Sequence, residues 1–177
     1  MSLINLSESS ELSDWSYYAE GCFDGAKEEF LCFNLADNQY GIEILKVIGL
    51  LSWEQISSLL CTEGINETIE DYYLGDISME SHIKVPVVDL RKRFQLPTCL
   101  YGRLTGGIVI KGRVDEENCL MTLIVDRISN IYRVSGSQQL VDSSSEIVET
   151  KYLKKQINAK GMIIEILNTD LLFQDDE

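Results

Sequence analysis

The chain has 177 residues, of which 45% are hydrophobic, and its 29 acidic and 15 basic side chains give a net charge of −14. This charge excludes nucleic-acid binding through a diffuse basic field and disfavours an anionic membrane surface, because both gain energy from cations. Residues 1–20 are acidic and lack an apolar core, so we expect no signal peptide, and the sequence has no apolar run of about 18 residues that could span a bilayer. We therefore expect a folded, cytoplasmic protein without direct membrane insertion.

The negative charge is concentrated in two segments. Residues 1–30 carry seven acids and one lysine, and residues 47–83 carry seven acids and no basic residue. For residues 47–83, an acidic face that steers a basic partner and a solvated loop both remain open. Residues 1–28 have the composition of a flexible acidic extension, although four aromatic residues could instead form a short helix docked on the domain: Trp15, Tyr17, Tyr18 and Phe23.

Alternating apolar residues predict strands along most of the chain after residue 28. In the first half, FLCFNLA and QYGIEIL are separated by a turn, and KVIGLL follows. Residues 52–61 have the apolar spacing of a helix, and an acidic loop separates them from two further strands, YLGDISM and HIKVPVVD. Pro86 lies in the second of these, so we expect it at a sheet edge or a bulge.

The second half of the chain predicts strands at residues 106–114, 119–128, 130–134, 146–160 and 161–167. A helical turn capped by Asp89 precedes them and ends at Pro97, and a short terminal helix capped by Asn168 follows them. Nine or ten short strands separated by turns are typical of a β-barrel or a β-sandwich.

No catalytic or metal-binding pattern is present. His82 is the only histidine and has no Ser–His–Asp or Cys–His motif around it. The cysteines are odd in number and form no CxxC pair, which argues against a zinc site and a disulfide framework: Cys22, Cys32, Cys61, Cys99 and Cys119. We expect reduced thiols, with Cys32 and Cys119 packed inside strands.

Two carboxylates lie at strand ends, Asp89 and Asp126, and each is better interpreted as a cap or turn partner than as a general acid. We expect no enzyme activity, no cofactor and no metal, and we interpret the chain as an adaptor that binds proteins through strand edges and apolar grooves. A small β-barrel enzyme or ligand-binding module is the alternative from another class.

Four segments, in this order, resemble the CheW family of chemotaxis coupling proteins: EFLCFNLADNQYGIEILKVIGLL, VPVVDLRKRFQLP, LMTLIVDRISNIYRVS and GMIIEILNTDLLF. The resemblance implies one domain over residues 29–177, mainly β, with two SH3-like five-stranded β-barrel subdomains around a shared core. Short helical turns and a short C-terminal helix complete that fold.

The resemblance also implies a non-catalytic adaptor that couples methyl-accepting chemoreceptors to a CheA-type histidine kinase. In that family the kinase's regulatory domain pairs barrel against barrel with the adaptor. The tip of the receptor's helical hairpin lies in the groove between the two barrels. Such a protein is recruited from the cytoplasm to membrane-associated receptor clusters.

The chain departs from the family pattern before VPVVDLR. YLGDISMESHIK stands where typical members have I-x-G-V-I-N-L-R-G, and Gly49 replaces a common glutamate. We expect these changes on the first barrel, with the fold kept and partner preference altered. An accessory adaptor of a non-flagellar, surface-motility pathway is therefore an alternative.

The protein-binding residues that we predict are Val47, Ile48, Gly49, Leu50, Glu67, Glu70, Asp71, Glu80 and Arg91. Some of the residues over 47–50 must face the core, because alternate residues of a strand point to opposite faces. Arg91 has an alternative interpretation, in which it holds its turn through a salt bridge and does not touch a partner.

Overall fold

The computed structural model describes residues 27–61, 71–79, 83–114, 117–135, 150–159 and 161–174. The predicted N-terminal extension, apart from its last two residues, lies outside these ranges. The strands are β1 (Lys27–Leu35), β2 (Asn38–Glu43), β3 (Val47–Ser52), β4 (Leu60–Cys61), β5 (Tyr73–Ser78), β6 (Lys84–Asp89), β7 (Gly106–Val114), β8 (Glu117–Val125), β9 (Arg127–Ser135), β10 (Leu153–Ala159) and β11 (Met162–Leu167). The α-helices are α1 (Trp53–Leu59), α2 (Leu90–Arg93) and α3 (Thr169–Leu172).

The strands form two sheets, which confirms the predicted mainly β fold with two subdomains. The five-stranded sheet has the order β10-β11-β2-β1-β9, and the six-stranded sheet has the order β3-β7-β8-β6-β5-β4. Most neighbours are antiparallel, whereas β11 pairs with β2 and β6 pairs with β8 in parallel. The six-stranded sheet exceeds the expected five strands by the two-residue β4.

The two sheets do not correspond to the two halves of the chain. β3 to β8 form one sheet, whereas β1, β2 and β9 to β11 form the other. The chain crosses between them at a 3-10 turn, Ile44–Lys46, and again at Asp126. The strand predicted over 119–128 is therefore wrong as a single element, because it divides at Asp126 between two sheets. The described part of residues 47–83 lies in the six-stranded sheet, not in the barrel where the chain begins.

Strand alternation explains how one chain builds three apolar clusters. Along β1, Phe30 faces a cluster inside the five-stranded sheet, whereas Phe33 faces a cluster that both sheets share. Ile110 and Met121 of the six-stranded sheet enter the same shared cluster. A third cluster, which includes Ile56, lies within the six-stranded subdomain. The shared core expected from the resemblance is therefore present.

Local sequence signals explain where the helices begin. The Ser52 hydroxyl accepts a hydrogen bond from the Gln55 amide, and the Gln55 side chain accepts one from the Ser52 amide, which forms a capping box for α1. Asp89 caps α2 and Asn168 caps α3, as predicted. Pro86 pairs with β5, but the pairing of β6 with β8 begins only at the next residue. The proline thus occupies a local edge.

The cysteines in the described residues are all free thiols: Cys32, Cys61, Cys99 and Cys119. Cys32 and Cys119 are buried in strands, as predicted. No helix in these residues is long and apolar enough to cross a bilayer. Cys22 and His82 lie outside the described residues.

Gly112 provides a test of the packing between β7 and the C-terminus. A Cβ atom added at Gly112 would lie 2.2 Å from Cε2 of the buried Phe173 ring. We expect Gly112→Ala to lower the free energy of unfolding by about 1–3 kcal/mol, because an enclosed ring must move. Urea unfolding measures the loss.

The control for this test is Gly102→Ala, since a Cβ atom at Gly102 would meet nothing within 4 Å. That variant should stay within about 0.5 kcal/mol of the wild type. Equal unfolding free energies for Gly112→Ala and the wild type would contradict the packing described here.

Candidate functional site

β3 lies at the boundary between the two sheets. It follows the Ile44–Lys46 turn directly and pairs with β7 on one side, so within the described residues it is an outer strand. Its register with β7 shifts between Val47 and Gly49. Leu45 in this turn and Leu50 in β3 are each 50% exposed. The segment thus combines a strand edge with accessible apolar side chains.

The four predicted residues of β3 have different surroundings. Val47 packs against the shared core and Ile48 against the six-stranded core, and both are partly buried. Gly49 borders open space, since an added Cβ atom would meet only Val109 Cγ2, at 4.0 Å. Leu50 is the most exposed of the four. Of these four residues, Leu50 has the most accessible side chain, and Gly49 leaves its backbone open to a partner.

The predicted acidic residues are only partly described. Asp71 is exposed before β5, and its carbonyl oxygen accepts a hydrogen bond from Lys92 Nζ at 3.2 Å. β7, β8 and β6 separate β5 from β3 in the sheet order. The structure therefore places Asp71 beside α2 and does not bring it to β3. Glu67, Glu70 and Glu80 lie outside the described residues.

Arg91 forms a bidentate ion pair with Asp126. Nε lies 2.6 Å from Oδ1 and Nη2 lies 2.6 Å from Oδ2, while Nη1 donates to the carbonyl oxygen of Pro97 at 2.5 Å. The two side chains are only 15% and 21% exposed. Arg91 therefore has the geometry of a structural salt bridge, the second of the two interpretations made from the sequence.

Asp126 also joins the two sheets through a third element. Its Oδ2 accepts a hydrogen bond from the backbone amide of Ala36, 2.7 Å away in the turn between β1 and β2. Ala36 has a φ of 52°, a left-handed conformation that costs a non-glycine residue about 1–2 kcal/mol. The carboxylate thus links the crossover between β8 and β9, the helix after β6 and this turn. We call the Arg91–Asp126–Ala36 arrangement the inter-sheet joint.

The charge of Asp126 is favoured in the folded state. Burial raises the pKa of this carboxyl group, but the hydrogen bonds from Arg91 and the Ala36 amide, with the Arg91 charge, outweigh burial. The net pKa is lower than usual. The same ion pair raises the pKa of Arg91, against the opposing effect of burial.

A second carboxylate, Asp89, is also occupied by structural hydrogen bonds. Its Oδ1 accepts from the Arg91 and Lys92 amides at 2.8 and 3.3 Å, and its Oδ2 accepts from the Tyr101 hydroxyl at 2.5 Å. The Tyr101 ring lies on Trp53 with a centroid distance of 4.3 Å. Burial, followed by the hydrogen bond to Asp89, raises the pKa of Tyr101.

This geometry agrees with the sequence interpretation of both carboxylates as a cap or turn partner: Asp89 caps α2, and Asp126 binds the amide of Ala36 in a turn. Within the described part of the chain, no group of three or more His, Cys, Asp and Glu side chains could hold a metal ion. The sequence reasoning missed the contact between Arg91 and Asp126. Both residues were visible in the DLR and VD segments, but 35 positions separate them.

Residues 29–177 match the family model described as the CheW-like domain. The chain belongs to the CheW-like domain family. A chemotaxis protein CheW from Klebsiella aerogenes is 28% identical over 111 residues, which cover 63% of this chain and 60% of that protein, less than two thirds of its length. A chemotaxis protein CheW from Treponema pallidum is 24% identical over 155 residues, which cover 84% of each protein.

Among solved structures, the scaffolding protein TtCheW from Thermoanaerobacter tengcongensis is similar, with a TM-score of 0.68. It is 19% identical, and the match covers 84% of this chain and 94% of that one. At that identity the likeness shows the fold, which is the CheW fold of two SH3-like β subdomains. The CheW resemblance inferred from the sequence is confirmed.

The inter-sheet joint of this CheW-like domain predicts a pH-dependent stability. We expect Asp126→Asn to lower the free energy of unfolding at pH 7 by about 2 kcal/mol, because Arg91 loses its ionic partner in a partly buried site. The folded pKa lies below the unfolded value of about 3.9, so the stabilisation is complete above that value and is lost as the pH falls through the folded pKa. The difference from the wild type should therefore shrink below about pH 4.

Urea unfolding at pH 7 and at about pH 3 measures this difference. The control is Asp37→Asn, because Asp37 is an exposed residue of the same β1–β2 turn and should tolerate the change within about 0.5 kcal/mol. The inter-sheet joint would be contradicted if Asp126→Asn lost no more unfolding free energy at pH 7 than Asp37→Asn. It would also be contradicted if the loss in Asp126→Asn became larger at low pH.

Proposed function

We propose that this chain is a non-catalytic adaptor of a chemotaxis-type signalling pathway, which couples methyl-accepting chemoreceptors to a CheA-type histidine kinase. The observation that carries the proposal is the CheW-like domain match over residues 29–177. The relatives from K. aerogenes and T. pallidum are named chemotaxis proteins, and TtCheW is named a scaffolding protein.

The carboxylates near the joint support a role in binding over one in catalysis. A general acid or base needs a proton site within reach of a substrate. Asp126 is instead held by Arg91 and Ala36, and Asp89 is held by amides of α2 and by Tyr101. Both groups have structural tasks that protonation chemistry would disrupt.

The β3 segment is the proposed receptor-binding strip, defined as residues 47–50. It begins where the chain passes from one sheet to the other, so a helical hairpin between the subdomains would run beside it. Leu50 offers an exposed apolar contact, and Gly49 lets a helix approach the backbone closely. Val47 and Ile48 support the strip from the two cores.

The acidic residues have a different proposed task. Glu67, Glu70, Asp71 and Glu80 would set which kinase regulatory domain or receptor is preferred, since charges at an interface rim act mainly on specificity and association rate. Through these partners the adaptor would work in the cytoplasm, at membrane-associated receptor clusters.

Calorimetric titration with two purified probes tests the proposal: the regulatory domain of a CheA-type kinase and a receptor hairpin-tip peptide from the same cells. We expect dissociation constants in the micromolar range for each. Leu50→Ser should weaken binding of the receptor tip about tenfold, which corresponds to about 1.4 kcal/mol, and should leave kinase binding unchanged. Leu59→Ser is the matched control, because Leu59 is a comparably exposed leucine on α1.

Binding of neither probe at low salt would contradict the adaptor function. Equal losses for Leu50→Ser and Leu59→Ser would contradict the receptor-binding strip alone. Reversal of the four acidic residues to lysine should change the association rate, whereas Asp37→Lys should not. If both probes ignore the reversal, these residues form only a solvated segment.

A further inference from the structure

The loop between α2 and β7 presents two leucines to solvent. Leu100 is 97% exposed and Leu104 is 67% exposed, the highest values among the large hydrophobic residues of the described part of the chain. Single exposed leucines are common on protein surfaces. Two within five residues, with an exposed arginine between them, form a compact apolar and basic surface that we call the Leu100–Leu104 loop.

Hydrogen bonds and an aromatic contact hold this loop in a conformation that leaves its two leucines exposed. The Tyr101 hydroxyl donates to Asp89 and its ring packs on Trp53. Before Leu100, the carbonyl oxygen of Pro97 accepts a hydrogen bond from Arg91. After Leu100, the Gly102 amide donates a hydrogen bond to Thr105 Oγ1 at 2.9 Å. A surface fixed in this way loses little conformational entropy when something docks on it.

The loop also has an unusual charge for this chain. Residues 90–105 contain four basic residues and no acid, although the whole chain has a net charge of −14. Arg91 is paired with Asp126, and Arg93 is buried and donates to the Gln174 carbonyl oxygen. Arg103 is exposed and has no ion pair with any described residue. In contrast, Lys46 beside the exposed Leu45 is already paired with Asp170.

The segment before β1 has the complementary composition. Residues 1–26 contain five acidic residues and no lysine or arginine, so the segment has an excess of negative charge. They also carry eight large apolar side chains: Leu3, Ile4, Leu6, Leu12, Trp15, Tyr17, Tyr18 and Phe23. We propose that residues 1–26 dock on the Leu100–Leu104 loop of the same chain, with apolar side chains covering the leucines and a carboxylate pairing with Arg103.

Covalent attachment favours the chain's own segment over other occupants. Fully extended, 26 residues reach about 85 Å, whereas a domain of this size is roughly 40 Å across. A tethered segment has an effective concentration on the order of millimolar. A second copy would bring another −14 charge, and an anionic membrane would also repel the chain. This inference goes beyond the adaptor function and does not depend on it.

Acrylamide quenching of Trp15 in the full chain tests the docking. The only other tryptophan is Trp53, so the Trp15 signal is the difference between the wild type and Trp15→Phe. We expect Trp15 to be protected relative to an isolated peptide of residues 1–26. Leu100→Ser combined with Leu104→Ser should remove the protection, whereas Leu59→Ser should retain it.

A charge exchange separates direct contact from an indirect effect on folding. Arg103→Glu should remove the protection of Trp15, and adding Glu11→Lys and Asp14→Lys to that variant should restore it. The proposal would be overturned if Trp15 stayed protected from acrylamide both in the double leucine variant and in Arg103→Glu. It would also be overturned if Trp15 were as accessible in the wild type as in the isolated peptide. Protection that increases with protein concentration would assign the docking to a second copy and would also overturn it.

Discussion

The Asp126 carboxylate is a polar link between the two subdomains, because it accepts hydrogen bonds from Arg91, after a strand of the six-stranded sheet, and from Ala36, in a turn of the five-stranded sheet. The chain passes from one sheet to the other at Asp126, and Arg91 belongs to the helix that follows a strand of the six-stranded sheet. Burial of the three apolar clusters is the main favourable contribution to folding, but apolar contact has little directionality. The bidentate pair has a defined geometry, and it orients the Asp126 carboxylate, whose Oδ2 also accepts the Ala36 amide in the five-stranded sheet.

That geometry connects the fold to the proposed adaptor role. β3 begins at the other crossing of the chain, so its exposed edge and Leu50 lie at the boundary between the two sheets. Two carboxylates at strand ends have structural roles, because Asp89 and Asp126 both accept hydrogen bonds from backbone amides. Among the described residues, the β3 edge and several leucines are accessible, and such features are typical of surfaces that bind other proteins.

Much of the local structure could be predicted from the sequence because its causes are local. The alternation of inward and outward side chains in FLCFNLA predicted β1, and Asp89 and Asn168 predicted the starts of two helices. The resemblance supplied the two subdomains. The division of the predicted strand at Asp126 was not predictable, because its two parts are separated by the distant strands with which they pair, β6 and β7 for the first part and β1 for the second. The partner of Arg91 and the exposure of Leu100 are likewise set by tertiary contacts.

A double-mutant cycle in urea unfolding at pH 7 tests the inter-sheet joint most directly. Arg91→Gln, Asp126→Asn and the combined variant together isolate the pair from the separate hydrogen bonds to Pro97 and Ala36. If the two side chains interact as described, the summed losses of unfolding free energy in the two single variants should exceed the loss in the combined variant by about 2 kcal/mol. Losses that add to within about 0.5 kcal/mol would mean that the two side chains act independently.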